Sequence, residues 1–95
     1  MYYVYILQSE KDSKFYIGFT NHLERRMREH AEGKVLSTKG RRPFKLIYYE
    51  AFTNEKDAIR REDYFKTSKG KRTIRLMLRE FLSDQQTKKT IEFGE

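Results

Sequence analysis

Two runs of β-branched, aromatic and aliphatic residues stand at the front of the chain, Met1 to Gln8 and Phe15 to Phe19, with only the polar stretch Ser9 to Lys14 between them. Runs of that length and composition suit strands, and Glu10, Lys11, Asp12 and Ser13 suit a short hairpin loop. A chain of 95 residues that begins with a hairpin has to build its remaining elements against it. Pairing Tyr5 with Tyr16 puts Tyr3, Tyr5, Tyr16 and Gly18 on one face, and Val4, Ile6, Phe15, Ile17 and Phe19 on the other. One face then carries phenols and the other an apolar core. A strand tyrosine also packs a core with its hydroxyl at the rim, and spacing does not choose between the two uses.

The next elements follow in order. Asn21 with Glu24 three residues on forms a capping-box pattern, predicting a helix over residues 22–31 that stops at Gly33. Leu23 and Met27 mark its apolar side, with Arg26 and His30 four residues apart along its flank. Arg26 there either snorkels over the core or serves a site, and periodicity leaves the choice open. Residues 34–42 are polar, basic and glycine-bearing, a loop whose Thr38, Lys39, Gly40, Arg41 and Arg42 are free to reach a phosphate backbone. Pro43 closes that loop, and Phe44 to Phe52 alternates as a third strand.

Asn54 caps a second helix, with Glu55 and Asp57 in its first turn. On that helix Glu62 falls between Ala58 and Ile59 on one side and Phe65 on the other, inside the apolar stripe. A carboxylate there needs a cationic partner, either a metal ion or a basic side chain such as Arg26 or Lys66. Ser68 to Gly70 is expected to break the helix, with Lys71 to Leu82 forming a third on an Ile74, Met77, Leu78 and Phe81 stripe. Residues 83–95 read as a flexible tail, so the domain is expected over 1–82.

Composition narrows the classes of function. The chain has no cysteine, which excludes disulfides, thiolate metal sites and a thiol nucleophile. It has no apolar run of the roughly 18 residues a membrane span needs, and it is expected to be soluble and cytoplasmic. Its net charge is +7, with eight basic residues over 60–79 against Glu62 and Asp63, and eight more over 24–45. A polyanion is the natural partner, although a basic surface also occurs on domains that bind nothing.

Taken together, these residues resemble the GIY-YIG nuclease family, in particular its small stand-alone members. The second motif of the family name is literal here, Tyr16-Ile17-Gly18, and the first survives as Tyr3-Val4-Tyr5. The family's arginine, ten residues past the second motif's tyrosine, matches Arg26, and the histidine a turn later matches His30. Its glutamate, in an Ala-x-x-x-Glu context after the third strand, matches Glu62 after Ala58. The resemblance covers roughly residues 2–80. Several members carry an asparagine beyond the glutamate, and here none follows Asn54, leaving that role vacant or to Ser68 or Lys66.

The resemblance implies an α+β fold, a small, mostly antiparallel three-stranded sheet flanked by helices; the strands are expected in chain order across it. It implies a metal-dependent endonuclease acting on DNA, with RNA not excluded; no part of the chain looks like a recognition helix or zinc module, so sequence specificity is expected to be low or supplied by a partner. Glu62 would hold one Mg²⁺ or Mn²⁺ ion, Tyr5 would act as general base, Tyr16 would orient water or phosphate, Arg26 would pair with phosphate oxygens, and His30 would order the tyrosines or carry the proton. Lys39, Arg41 and Arg42, with Lys66, Lys69, Lys71, Arg72 and Arg75, would grip the backbone. Two other readings stand beside it: a nucleic-acid-binding module on the same fold with little turnover, and a protein-interaction domain. Whether the chain acts as monomer or homodimer is open.

Overall fold

The computed structural model describes residues 1–94, with side chains as far as residue 86. Strands β1 (Tyr2–Ser9) and β2 (Phe15–Thr20) form the expected hairpin, followed by helices α1 (Leu23–Ala31) and α2 (Leu36–Lys39), strand β3 (Phe44–Phe52), and helices α3 (Glu55–Phe65), α4 (Ser68–Met77) and α5 (Arg79–Gly94). The α+β class and the three-stranded antiparallel sheet are as expected. The chain divides into two compact units, Met1–Asp63 and Tyr64 onward.

The strand order is β2-β1-β3, which corrects the chain-order arrangement. The reason lies in burial. Val4, Tyr5, Ile6 and Leu7 are each at most 2% exposed, so β1 is covered on both faces, and a run apolar at every position belongs in the middle of a sheet. Strand β3, with Lys45, Leu46 and Tyr49 exposed, takes an edge. Residues 21–43, carrying α1 and α2, are long enough to cross from one edge to the other. A bulge between Ile6 and Leu7 leaves Ile47 without a partner on β1.

The hairpin register also differs from expectation: Tyr5 faces Gly18, and Tyr16 faces Leu7. The loop sets this. The Ser9 hydroxyl accepts the N–H groups of Lys11 and Asp12 at 3.1 and 3.2 Å, Ser13 takes a left-handed φ of 63°, and Ser9 N–H donates to the Lys14 carbonyl at 2.9 Å. That larger turn moves the pairing by two residues. Because the shift is even, the phenols remain on one face.

Local caps and breaks differ in detail. The N-cap of α1 is His22, whose Nδ1 accepts from Arg25 N–H at 3.2 Å, while Asn21 instead accepts from the Arg25 side chain at 3.4 Å. Asn54 does cap α3, accepting from Lys56 N–H at 2.9 Å. The half-buried Glu50 carboxylate ties β3 to α3, accepting from Arg61 Nε and Nη2 at 2.9 and 3.0 Å and from the Tyr48 hydroxyl at 2.5 Å. Burial raises the Glu50 carboxyl, yet these bonds outweigh it and hold the group below the usual glutamate range.

In the second unit, residues 68–70 start a helix where a break was expected. Thr67 caps α4 by accepting from Gly70 N–H at 3.0 Å, and a Cβ on Gly70 would overlap the backbone of Tyr64 and Phe65. Glycine is there for close packing of a helix start. The single helix expected over 71–82 is interrupted at Leu78, the C-cap of α4. The stretch read as a tail from residue 83 belongs to α5 as far as Gly94. The side chains of Ile91 and Phe93, and the whole of Glu95, fall outside the described residues.

Candidate active site

On the phenol face of the sheet, the Tyr5 and Tyr16 rings lie 6.3 Å apart and both pack edge-on against the His30 ring, at 5.6 and 5.2 Å. Helix α1 places His30 there, buried to 2% exposure, and Arg26 one turn before it. The Tyr5 ring fits because Gly18 is opposite: any Cβ at that position would lie well inside contact with Cζ and Oη of Tyr5. The glycine of the second motif therefore makes room for the tyrosine of the first.

The Tyr5 hydroxyl and His30 Nε2 are 2.8 Å apart, and His30 Nδ1 and the Thr38 hydroxyl are also 2.8 Å apart. Thr38 in turn donates to the Val35 carbonyl at 3.3 Å. Thr38 is fully buried, which corrects its reading as a residue free to reach phosphate. One helical turn over 36–39, within a stretch expected to be pure loop, turns Val35 and Thr38 inward together.

Arg26 donates to Glu29 at 3.0 Å, and its Nε is buried without a hydrogen-bond partner. Burial pushes the Tyr5 phenol up to about 12; the facing Arg26 guanidinium pulls it down, while Tyr16 and Glu62 push it up. Glu62 is thus close enough to Tyr5 for its charge to act on the phenol. Burial, with Arg26 beside it, drops His30 to about 4. Tyr5 protonated and His30 neutral is the resting state at pH 7.

The depressed histidine has a consequence for stability. Below pH 6.5 the unfolded chain takes up a proton at His30 that the folded chain refuses until about pH 4, so stability falls with acidification across that window. The lowered Glu50 acts in the same direction at lower pH. Melting curves between pH 8 and 4 should show this loss, and His30→Gln should flatten its upper part; an unchanged slope would mean that His30 titrates normally.

The residues expected to grip nucleic acid are placed differently from one another. Lys39 is exposed. Arg41 pairs with Asp12 at 3.2 Å and lies 5.5 Å over the Phe44 ring. Arg42 donates to the carbonyls of Lys39 and Ala31 at 3.0 and 3.2 Å and covers Gly33. Both guanidiniums are thus tied to the fold by these contacts. Beside His30, Lys39 and Arg42 line a cleft walled by Leu7, Met27, Phe44 and Leu46. In the second unit Lys66, Lys69, Lys71, Arg72 and Arg75 are exposed.

Sequence reasoning missed Thr38, Glu29 and the packing role of Gly18. Glu29 was findable, three residues past Arg26 on one helix. Nothing in the sequence links His30 with Thr38.

The family model for the GIY-YIG catalytic domain matches residues 1–75. The chain belongs to the GIY-YIG family. It is 38% identical over 92 residues to a UPF0213 protein of Clostridium perfringens, covering 96% of this chain and 98% of that protein. A UPF0213 protein of Streptococcus pneumoniae is 35% identical over 94 residues, covering 98% and 89%. The solution NMR structure of a UPF0213 protein from Bacillus halodurans superposes with a TM-score of 0.52 at 36% identity, covering 81% of this chain and 85% of that one. A GIY-YIG domain implies nuclease activity on DNA. Among the described residues no helix is long and apolar enough to cross a membrane.

GIY-YIG nucleases are generally dependent on a divalent metal. Among the described residues no three His, Asp or Glu side chains converge, so a site built wholly from protein ligands is not formed. A single carboxylate on the phenol face does suit a hard cation that keeps waters and phosphate oxygens as its other ligands.

Proposed function

We propose that this chain is a metal-dependent endonuclease that hydrolyses phosphodiester bonds in DNA, with low sequence specificity and a structure-selective role in repair or recombination. Residues 1–82 form its working domain, acting in the cytoplasm. The observation that carries the reading is the packing of Tyr5, Tyr16 and His30 on one face, with the charges of Arg26 and Glu62 both acting on the Tyr5 phenol.

Glu62 would hold one Mg²⁺ or Mn²⁺ ion, which supplies positive charge to the phosphate. Arg26 offers its planar fork to the non-bridging oxygens. Tyr5 takes the proton of the attacking water. A phenol near 12 is a poor base by itself, so it depends on the positive charge gathered at the site when substrate is bound. Tyr16 orients water or phosphate at the rim. Lys39, Arg41 and Arg42, together with Lys66, Lys69, Lys71, Arg72 and Arg75, supply the phosphate-neutralising charge.

The test is cleavage of branched, single-stranded and duplex DNA, with and without Mg²⁺ or Mn²⁺, beside Glu62→Ala. Cutting that requires the metal and is lost in the variant supports the reading. Salt-sensitive binding with no cutting under any condition would make the chain a binding module on a nuclease fold.

A further inference from the structure

The hydrogen bonds around His30 have a direction. At one end, the Tyr5 hydroxyl is 2.8 Å from His30 Nε2 and feels the Arg26 guanidinium, which offers only donors. The phenol proton therefore points to Nε2. At the other end, the Thr38 hydroxyl spends its proton on the Val35 carbonyl, leaving its oxygen to accept from Nδ1. Both ends point to a proton on Nδ1 and a lone pair on Nε2. Thr38 and His30 are 0% and 2% exposed, so water does not substitute easily for either partner.

We propose that Thr38 is a positioning residue that locks His30 in the Nδ1–H tautomer, so that Nε2 is the acceptor for the Tyr5 proton. For its catalytic meaning this rests on the nuclease reading. As the water oxygen attacks phosphorus, a water O–H bond breaks and its proton passes to the Tyr5 oxygen, while the Tyr5 O–H bond breaks and an N–H bond forms at Nε2; the net proton rests on His30, whose Nδ1–H stays on Thr38. In the other tautomer Nε2 is already protonated and no transfer from Tyr5 can occur. The segment 34–42 thus contributes to the chemistry through a buried hydroxyl and not only through its charges.

The deciding measurement is the histidine tautomer in the intact chain, read from ¹⁵N shifts of ring-labelled protein at pH 8, where imidazoles are neutral. His22 is an internal contrast, because its Nδ1 accepts from Arg25 N–H and must carry its proton on Nε2. The two rings are assigned with His22→Asn, since asparagine also caps helices. The expected result is opposite tautomers, with His30 protonated at Nδ1. Thr38→Val should move His30 toward the Nε2–H form, and Thr38→Ser should restore Nδ1–H.

Cleavage should fall about 10–100-fold in Thr38→Val, part of the 10²–10⁴ that a general base contributes, and recover in Thr38→Ser. An Nε2–H tautomer in the parent chain, or Nδ1–H retained in Thr38→Val, overturns the proposal. If Thr38→Val does not fold, the parent tautomer and Thr38→Ser still decide it. Expected tautomers in a chain that cuts no DNA would remove the nuclease reading and leave the positioning by Thr38 standing. A flipped tautomer with undiminished cutting would remove its catalytic role.

Discussion

Tyr5→Phe should lower the cleavage rate about 10²–10⁴-fold while changing DNA affinity little, because it removes a general base and leaves the phosphate-binding charges in place. The ring is fully buried, so phenylalanine keeps the packing and loses only the hydroxyl. Stability should fall by about 1–2 kcal/mol, since His30 Nε2 is left buried without its donor. The pH dependence gives a second readout. With the phenol near 12, the fraction of phenolate, and with it the rate, should rise with pH through the neutral and alkaline range. In Tyr5→Phe that rise should disappear. Cutting within a few-fold of the parent, with the same pH slope, would show that Tyr5 is packing and that the base lies elsewhere.

Gly18→Ala should damage both stability and cleavage, a double effect that separates it from a purely chemical variant. The new methyl would overlap Cζ and Oη of Tyr5, so the ring must move or the strands must part. Overpacking of that kind costs about 1–3 kcal/mol, and for a domain of this size each kcal/mol lowers the melting temperature by about 4–8 °C. A displaced ring also loses its 2.8 Å contact with His30, so the rate should approach that of Tyr5→Phe. A variant with normal stability and normal cutting would mean that the strands yield easily here and that Gly18 has no positioning role. Gly18→Val should be worse than Gly18→Ala on both measures.

Much of the fold was legible from local pattern. The hairpin, the third strand at Phe44–Phe52, the helix carrying Arg26 and His30, and the Asn54 cap each follow from periodicity and capping chemistry, which act over a few residues. Glu62 stood out for the same reason, because a carboxylate in an apolar stripe violates the pattern around it. Where local chemistry offered two answers, the structure chose. Asn21 and His22 can both cap, and His22 does. Residues 68–70 look like a break by composition, yet Gly70 is there because backbone passes too close for a side chain.

The chain's own order of residues determined which side chains share a face of the hairpin, because alternation along a strand survives any even shift of register, and which arginine and histidine share a flank of α1, because the helical repeat is rigid. Tertiary structure alone decided that β1 is central, since strand order depends on how the β2–β3 connection crosses and which run can be buried on both sides. It alone set the Tyr5–Gly18 pairing, through a turn closed by Ser9 and Ser13. It also brought Thr38 to His30. A hydrogen bond between a helix and a turn eight residues later leaves no periodic trace, because its partners are placed by packing and not by the repeat of either element.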